Sequence, residues 1–439
     1  MKTRLRLRHV LALSIGVSAI GVGGLTLAET KKPDPPSYDT LRVMSDVLSI
    51  INSDYVEPVE MEALMDGALN GALSRLDPHS TYIRPQRYVQ QRESAKREYG
   101  GLGIEVSMEG GLVKVNFALE DGPAYAAGIR PGDFITAVDG DMVLGKNLDE
   151  AVEGMRGLEG DAITVTVLSP DQTSRDVEII RAVVRGRAVR HRVEQGLAYV
   201  SIDTFNNDKL TSDLIRALEL LELELGGEIP GLIIDLRGNR GGLLTESISV
   251  SGLFLDGGEV LSARGRNNID TERYHAELGE LYPDMKIVVL MSPGSASAAE
   301  IVAGALQDRG RGLVVGRRSF GKGSVQSVIP LPQQKGALRL TTQRYFTPSG
   351  KSIQGRGIMP DLIVSALEDD GELRKRFRED SLPNSLINED VSEFQERYDD
   401  VIYPPAGFDI SQDYQLRKAV DILKTSAYER LLDAQSDLD

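Results

Sequence analysis

The stretch KIVVLMSPGSASAAEIVAGAL, residues 286–306, predicts a strand, a turn and a helix in succession. Its opening residues after Lys286 are apolar and β-branched, which is typical of a buried strand. Pro293 and Gly294 predict a turn, and the alanine-rich remainder predicts a helix. Small hydroxylated residues therefore stand where a strand passes into the start of a helix.

Ser295 and Ser297 lie in this turn, and two interpretations apply to them. A nucleophilic serine at a helix start has the helix dipole and free backbone N–H groups beside it, which can stabilise an oxyanion. Serine is also a preferred helix cap, so either residue can simply satisfy backbone N–H groups. The segment alone favours the cap, and a nucleophile would require a base elsewhere in the chain.

Strand and helix patterns alternate on both sides of this stretch. From about Leu197 onward the strand-like runs are LAYVSI, GLIIDL, KIVVLM and GLVVG. Helical patterns separate them at Leu210–Leu225, Leu243–Leu255 and Ala296–Leu306. This alternation predicts an α/β core.

Two differently patterned segments precede the α/β core. From Tyr38 to about Tyr88, apolar residues recur at steps of three and four, which predicts two or three amphipathic helices. From about Tyr99 to Pro170, short alternating runs are interrupted by glycine and proline turns. This second segment predicts a compact, mostly β module.

The carboxyl-terminal part changes character after Pro360. Its composition is acidic and irregular through Pro405, and Tyr414–Leu432 then predicts one amphipathic helix. The acidic stretch 368–400 has two interpretations, a solvated linker or a regulatory contact, and we favour the linker.

The amino terminus indicates export. Residues 1–28 combine four basic residues with the uncharged stretch Val10–Ala28 and end at a small-residue site, the pattern of a secretory signal peptide. An uncleaved anchor is the alternative, since a stretch of this length can just span a bilayer. We therefore expect a periplasmic protein, anchored to the inner membrane if the signal is retained.

Composition excludes several classes of protein. The 439-residue chain has a formal net charge of −16, so the phosphate backbone of a nucleic acid would be repelled. It contains no cysteine, which removes thiol nucleophiles, thiolate zinc sites and iron–sulfur clusters. Only four histidines are present, so a hydrolytic site has few imidazole bases available.

Lys322 is the candidate base. It lies in GRRSFGKGSVQ, residues 316–326, and Gly321 and Gly323 on either side allow the backbone to turn sharply. A lysine base near neutral pH needs its pKa lowered by about three units, roughly 4 kcal/mol of desolvation or like-charge cost. Gln326 can fix the amine by hydrogen bonding. Most lysines are solvated, however, so the spacing alone leaves an ordinary surface lysine as the alternative.

The same glycine-rich stretch partly fits a phosphate-binding loop. Residues 316–322 match the first seven positions of G-x-x-x-x-G-K. Gly323 then occupies the place of the Ser or Thr whose hydroxyl would hold magnesium. The nucleotide-binding interpretation is therefore disfavoured.

Two further glycine turns are candidates for binding through backbone N–H groups. The turn in GLIIDLRGNRGGLL, residues 231–244, can supply an oxyanion donor from Gly241 or Gly242, or can simply be a tight strand-to-helix connection. The run GGLGI, residues 100–104, can hold a peptide carboxylate beside a strand edge, or can be a plain turn.

Several separated motifs, in this order, resemble those of the carboxyl-terminal processing proteases, also called tail-specific proteases. These are Ser–Lys endopeptidases that carry a PDZ domain. The motifs are LDPHS at 76–80, GGLGI at 100–104, AGIRPGD at 127–133, DLRGNRGG at 235–242, GSASAAE at 294–300, GKGSVQ at 321–326 and TTQRYFTPSGKSIQGRGIMPD at 341–361.

The resemblance implies a role for each candidate residue. Ser297 rather than Ser295 would be the nucleophile, Lys322 the general base and Gln326 the residue that orients the lysine. The oxyanion donors would be the N–H of Ala298 and that of Gly241 or Gly242. The peptide-binding loop would consist of Gly101, Leu102, Gly103 and Ile104. No metal or cofactor is required.

The resemblance also implies a multidomain α/β architecture. The expected regions are a signal peptide at 1–28, an N-terminal helical region at 29–87, a PDZ domain at 88–170, a crotonase-like peptidase core at 171–365, and an acidic linker with a C-terminal helix at 366–439. Expected partners are protein or peptide C-terminal tails, with an adaptor protein and a homo-oligomer as further expectations. The alternative function is a catalytically silent tail-binding or scaffold protein of the cell envelope.

Overall fold

The computed structural model describes residues 38–89, 99–119, 122–146, 148–183, 188–267, 270–367, 378–388, 401–409 and 411–436. The chain divides into two units, Met1–Leu64 and Met65–Asp439. The expected signal peptide at 1–28 lies outside the described residues and stays a prediction. Within the described ranges, no helix combines the length and apolar character needed to cross a membrane.

Two helices open the described part of the chain, where the sequence predicts two or three. They are α1 (Tyr38–Asp54) and α2 (Met61–Leu73), and α2 begins in the first unit and ends in the second. Helix α1 leaves several apolar side chains exposed, among them Leu41 and Ile50. The short strand β1 (Thr81–Ile83) follows.

The predicted β module folds around its own core. Its elements are β2 (Tyr99–Gly101), β3 (Ile104–Glu109), β4 (Leu112–Ala118), α3 (Pro123–Ala126), β5 (Phe134–Val138), β6 (Asp141–Met142), α4 (Leu148–Met155), β7 (Gly157–Leu158), β8 (Ala162–Leu168), β9 (Ser174–Ile180) and β10 (Ala182–Val183). The main sheet has the order β3-β4-β5-β8-β9, with β6 on β5, so β3 is an edge strand. Alternate residues of β8 are buried, which explains the period-two pattern in the sequence.

The sheet of this module extends beyond residue 170. Strand β9 pairs with β8 along its whole length, from Leu168↔Ser174 to Ala162↔Ile180. The predicted boundary at 170 therefore falls inside the β8–β9 hairpin.

The α/β core contains a six-stranded sheet. Its elements, with those of the adjoining sheet, are β11 (Val189–Glu194), β12 (Leu197–Ile202), α5 (Leu210–Glu224), β13 (Gly231–Asp235), α6 (Leu244–Gly252), β14 (Glu259–Gly265), β15 (Thr271–His275), β16 (Lys286–Met291), α7 (Ala298–Asp308), β17 (Leu313–Gly316), β18 (Ser324–Pro330), β19 (Ala337–Phe346) and β20 (Leu362–Ile363). The strand order is β11-β12-β13-β16-β17-β20, and every pair is parallel except β11 with β12.

Both faces of this sheet are covered. Ile234 and Val289 belong to the core cluster that includes α5, α6 and α7. Ile233 and Val288 belong to a second cluster with the carboxyl-terminal helices. Burial on both faces explains why these strands read as continuous apolar runs rather than as alternating patterns.

A second sheet is built around strand β19. Strand β19 pairs with β18 on one side and with β14 and β1 on the other, and β15 pairs with β14. Through β1, the region before the β module becomes part of the sheet that carries β18 and β19.

The single helix predicted over Tyr414–Leu432 is wrong, because the structure has two helices there. They are α8 (Tyr414–Leu423) and α9 (Ala427–Ser436). The break lies at Thr425, whose hydroxyl donates to the Asp421 carbonyl at the end of α8 and accepts from the Ala427 N–H at the start of α9. Threonine competes with the helix for backbone groups in this way, and apolar spacing does not reveal it.

Helix α8 is held to the sheet by buried and half-buried charges. The Arg237 guanidinium donates to Asp413 at 2.9 Å and to Asp235 at 2.6 Å, and the Tyr199 hydroxyl donates to Asp235 at 2.8 Å. Asp413 also caps α8 by accepting the Leu416 N–H. Burial by itself raises the pKa of Asp413, but the hydrogen bonding and positive charge of Arg237, together with the backbone N–H groups of Leu416 and Gln415, outweigh it, so the pKa lies below its usual value.

We expect Asp413→Asn to lower the free energy of unfolding by about 1–2 kcal/mol at pH 7, because the cap is kept while the ion pair is lost. Since the pKa of Asp413 is lowered in the folded state, its contribution is present above its usual pKa and is lost as pH falls through the lowered value. Urea unfolding of both proteins at pH 7 and below pH 4 measures this. Asp409→Asn, at an exposed position before α8, is the control; equal effects of the two variants would contradict the prediction.

Candidate active site

Three site loops follow the carboxyl ends of neighbouring parallel strands. The loop with Gly241 and Gly242 follows β13, the turn with Ser297 follows β16, and the loop with Lys322 follows β17. Since β16 pairs with both β13 and β17, the three loops emerge at one edge of the sheet. Open α/β sheets place ligand sites at such an edge.

Ser297 has an unusual backbone at the start of α7. Its φ is 56° and its ψ is −115°, a conformation that a residue with a side chain seldom adopts. Its N–H donates to Glu300 Oε2 at 2.8 Å, and the residue is half-buried. Strained backbone of this kind is found at functional sites.

Ser295 has a structural environment instead. It is fully buried, its hydroxyl donates to the Leu236 carbonyl at 2.8 Å, and the same oxygen accepts the Ser292 N–H at 3.0 Å. These bonds fix the turn between β16 and α7. Ser295 thus fixes the turn, and the N-cap position of α7, the role that the sequence left open for both serines, belongs to Ser297.

Gly241 packs directly against Ser297. A Cβ atom at position 241 would lie 2.8 Å from the Ser297 Cβ and 3.0 Å from the Ala298 nitrogen, and the φ of 94° also favours glycine. The Gly241 N–H donates to Asn239 Oδ1 at 2.8 Å, so this amide is already engaged.

Gly242 supplies the more available amide. It forms a parallel bridge with Phe205, whose bonds involve the Gly241 carbonyl and the Leu243 N–H rather than the Gly242 N–H. Within the described ranges, the Gly242 N–H makes no hydrogen bond. The Ala298 N–H is at the first position of α7 and has no acceptor within the helix. These two amides are therefore candidate donors to an oxyanion.

Lys322 lies in a tightly packed loop before β18. The N–H of Gly323, which follows Lys322, donates to Gln354 Oε1 at 3.1 Å. A Cβ atom at position 323 would lie 2.2 Å from the backbone nitrogen of Gln354, so only glycine fits. Burial lowers the pKa of the half-buried Lys322 amine; Arg339 lowers it further, and Glu379 and Glu300 act in the opposite direction.

Glu300 joins the nucleophile turn to the lysine loop. It is fully buried, and its Oε2 accepts the N–H of Ser297 at 2.8 Å and that of Lys322 at 2.9 Å. Its Oε1 accepts the Gly321 N–H at 2.6 Å and the Ser319 hydroxyl at 2.5 Å. Since one oxygen binds both amides, the backbones of Ser297 and Lys322 lie within two hydrogen-bond lengths of each other. Burial raises the pKa of Glu300 to about 7.

The sequence analysis missed Glu300, although a signal for it was present. The spacing from Ser297 to Glu300 is that of a capping box, in which a residue three positions into the helix reaches back to the cap N–H. That pattern predicts the bond to Ser297. It does not predict the bonds to Ser319, Gly321 and Lys322, which depend on the tertiary fold.

Gln326 lies on β18 near the lysine loop but makes other contacts. Its amide nitrogen donates to Ser324 Oγ at 3.0 Å and to Thr341 Oγ1 at 3.2 Å. No hydrogen bond joins Gln326 to Lys322 within the part of the chain that the structure describes. Its predicted role in orienting the lysine stays a prediction, for which the amide oxygen is the available acceptor.

The LDPHS motif supports the same region from the amino-terminal side. Asp77 accepts the N–H groups of His79 and Ser80, both at 2.8 Å, and the Ser80 hydroxyl at 2.7 Å. Ser80 Oγ accepts the Thr341 N–H at 3.1 Å. Asp77 and Ser80 thus fix the strand β19 that contacts Gln326, a role that their sequence positions did not indicate.

The predicted peptide-binding loop borders the edge strand of the β module. Gly101 belongs to β2, Ile104 begins β3, and Leu102 and Gly103 connect them. The carbonyls of Leu102 and Gly103 accept the N–H groups of Ala124 and Leu119, each at 2.8 Å. In the described part of the chain, the N–H groups of Leu102 and Gly103 have no acceptor. They are available to a carboxylate beside the β3 edge.

Family models match three parts of the chain. Peptidase family S41 matches residues 196–364, the PDZ domain matches 115–169, and the activating protease CtpB N-terminal domain matches 24–86. These matches fall on the α/β core, the β module and the N-terminal region.

Curated relatives and a solved structure match over most of the chain. A carboxy-terminal-processing protease of Bartonella bacilliformis is 44% identical over 338 residues, which are 76% of this chain and 77% of that protein. A probable CtpA-like serine protease of Staphylococcus aureus is 32% identical over 74% of this chain, which spans 64% of that relative's length. The structure of the photosystem II D1 C-terminal processing protease is 28% identical with a TM-score of 0.46, over 80% of this chain and 93% of that one.

A PDZ module joined to an α/β peptidase core defines a serine-type peptidase. The chain belongs to peptidase family S41, within the carboxy-terminal-processing proteases, and the resemblance drawn from the motifs is confirmed. The predicted combination of an α/β core, a PDZ module and helices at both ends is also confirmed.

We expect Glu300→Gln to lower kcat by at least about 100-fold, because an amide offers one acceptor oxygen where four donors converge, and small displacements of catalytic groups have effects of this size. The free energy of unfolding should fall by about 2 kcal/mol. Asp308→Asn, at the other end of α7, is the control. Peptidase kinetics and urea unfolding check both expectations, and a Glu300→Gln protein with unchanged kcat would contradict the first.

Proposed function

We propose that the chain is an exported endopeptidase in which Ser297 is the nucleophile and Lys322 the general base. The observation that carries this proposal is that one oxygen of buried Glu300 accepts the backbone N–H groups of both residues. Two loops that are separate in sequence are thereby held together at the edge of the sheet. The lowered pKa of Lys322 supports its role, because a base must be neutral to accept a proton.

In the first half of the reaction, the neutral Lys322 amine accepts the proton of the Ser297 hydroxyl as Oγ attacks the peptide carbonyl. The oxyanion accepts hydrogen bonds from the N–H groups of Ala298 and of Gly242, which follows the Gly241 that packs against Ser297. The lysine ammonium then donates its proton to the leaving amine as the C–N bond breaks. The product is an acyl-enzyme on Ser297.

In the second half, water replaces the amine. Neutral Lys322 accepts a proton from the water as its oxygen attacks the ester, and the same two amides bind the new oxyanion. The proton returns to Ser297 Oγ when the ester bond breaks, which releases the new carboxyl terminus. Gln326, through its amide oxygen, is the proposed partner that orients the amine during these transfers.

Substrate selection is assigned to the PDZ module. Its free N–H groups at Leu102 and Gly103 would bind a terminal carboxylate, and a peptide strand would pair with the edge of β3. We therefore propose that substrates are proteins recognised by their C-terminal tails. Export to the periplasm follows from the signal pattern in residues 1–28.

The catalytic assignment is tested by digestion of an unfolded protein with an apolar carboxyl terminus between about pH 6 and 10. We expect the intact protein to cleave it and Ser297→Ala and Lys322→Ala to be inactive. Since burial lowers the pKa of Lys322, activity should rise with pH through an apparent pKa below that of an ordinary lysine. Lys335→Ala, in the β18–β19 connection, is the matched lysine control.

A serine-directed acylating probe separates this function from a silent tail-binding protein. Labelling that is lost in Ser297→Ala and reduced in Lys322→Ala supports catalysis. Absence of labelling in the intact protein, together with tail binding, would show that the chain binds without cleaving.

Recognition of the tail predicts a difference between two peptides of one sequence, one ending in a carboxylate and the other in a carboxamide. We expect KM for the carboxamide to be about 10-fold higher, because charge-assisted hydrogen bonds to the loop amides are lost. Acetylation of the peptide amino terminus is the control and should leave KM unchanged. Equal KM values for the two carboxyl-terminal forms would exclude carboxylate recognition by this loop.

A further inference from the structure

Residues 378–388, the docking segment, pack against the lysine loop. The N–H of Glu379 donates to the Phe320 carbonyl at 3.0 Å, and the Asn388 side chain donates to the Gln354 carbonyl at 2.8 Å. The Asn384 side chain donates to the Ser74 carbonyl at 2.8 Å. The solvated linker favoured for 368–400 is therefore wrong for this segment, because specific side-chain bonds attach it to the folded protein.

Glu379 is the most deeply buried residue that this segment contributes. Its side chain has no solvent exposure, and its Oε1 accepts from His79 Nε2 at 2.7 Å and from Gln354 Nε2 at 3.0 Å. Gln354 in turn accepts the N–H of Gly323, the neighbour of Lys322. A chain of hydrogen bonds thus connects His79 of the LDPHS motif with the loop of the proposed base.

The other oxygen of Glu379 is left without a hydrogen bond. Oε2 is buried and has no partner among the residues that the structure describes. A buried carboxylate with one unsatisfied oxygen is costly, so its retention calls for a compensating positive charge or a function.

Lys322 lies two residues after Phe320, whose carbonyl accepts the Glu379 N–H. Of the charged groups that act on this lysine, Glu379 of the docking segment has the largest effect and raises its pKa, against the larger effect of burial. Arg339 of β19 lowers the pKa, and Glu300 of α7 raises it. Beside Glu379 lies the ion pair between Arg318 and Asp380, at 3.7 Å.

We propose that Glu379 is a positioning residue for Lys322, and that His79 and Gln354 hold its carboxylate in place against the lysine loop. This inference rests on the proposed function, since it assigns a partner to the proposed base. The carboxylate would keep the amine within the site, and the His79 contact would limit how much negative charge the amine experiences.

The signs of the expected effects follow from the charges. Glu379→Gln keeps the side-chain shape and removes an anion, so the pKa of Lys322 should fall by about one unit. His79→Leu removes a hydrogen-bond donor whose N–H dipole partly offsets this carboxylate, so the pKa of Lys322 should rise. Arg339→Gln removes a cation and should also raise it. Asp380→Asn, next to Glu379 in sequence, is the matched control and should leave the pKa unchanged.

The test measures the titration of Lys322 directly, in a Ser297→Ala background where cleavage plays no part. Trace acetylation with acetic anhydride is followed at the Lys322 peptide by mass spectrometry as a function of pH, and circular dichroism confirms folding. The pH profile of kcat/KM is measured for the same variants with Ser297 intact. We expect the midpoint of Glu379→Gln to shift to lower pH in both experiments, with little change in KM.

The inference would be overturned if the Ser297→Ala protein had the same labelling midpoint with and without Glu379→Gln, as it should with and without Asp380→Asn. This holds even if the intact protein is an active peptidase. A Glu379→Gln variant that loses activity with no shift in midpoint would likewise show a merely structural role. If Glu379→Gln does not fold, the opposite shift of His79→Leu decides, and its absence overturns the inference. Shifted midpoints with no cleavage by the intact protein would support the Glu379–Lys322 pairing while refuting the proposed function.

Discussion

The buried carboxylate of Glu300 is the interaction on which the site depends. It accepts bonds from two turns that follow different strands, and all four donors reach it without solvent between them. A buried carboxylate is tolerated only when its oxygens are satisfied, so the fold must bring every donor into place together. The cost of burying Glu300 thus enforces the relative positions of Ser297 and Lys322 more strictly than apolar packing could.

The sheet provides the frame within which this carboxylate acts. Strands β13, β16 and β17 are adjacent and parallel, so their following loops leave the sheet side by side. Helix α7 is buried for almost its whole length and cannot shift without disturbing the core. Gly241 then allows the first of these loops to approach Ser297 more closely than any residue with a Cβ could.

Much of this architecture could be predicted from the sequence. The four apolar runs of the core and the helices between them are present, because burial on both faces of a parallel sheet leaves a strong apolar signal. The strand–turn–helix at 286–306 is present as well, although its pattern alone did not distinguish Ser297 from Ser295 and favoured a capping role. The apolar pattern was sufficient to predict the elements whose position is determined by burial of apolar side chains.

Features that apolar spacing does not encode could not be predicted. The break between α8 and α9 depends on one threonine hydroxyl, strand β9 continues the sheet beyond the predicted boundary at 170, and the burial of Glu379 contradicts its acidic surroundings in sequence. For Gly241 and Gly242 the sequence left two equivalent candidates. Only the hydrogen bond from Gly241 to Asn239 distinguishes their amides.

The contact between His79 and Glu379 joins residues that are 300 positions apart in the chain. Synthesis proceeds from the amino end, so Ser297 and Lys322 are already made while the docking segment is still absent. The contacts of Glu379 with His79 and Gln354 can therefore form only after Ser297 and Lys322 have been made. The order of synthesis thus delays these contacts beside the lysine loop until after the loop itself exists.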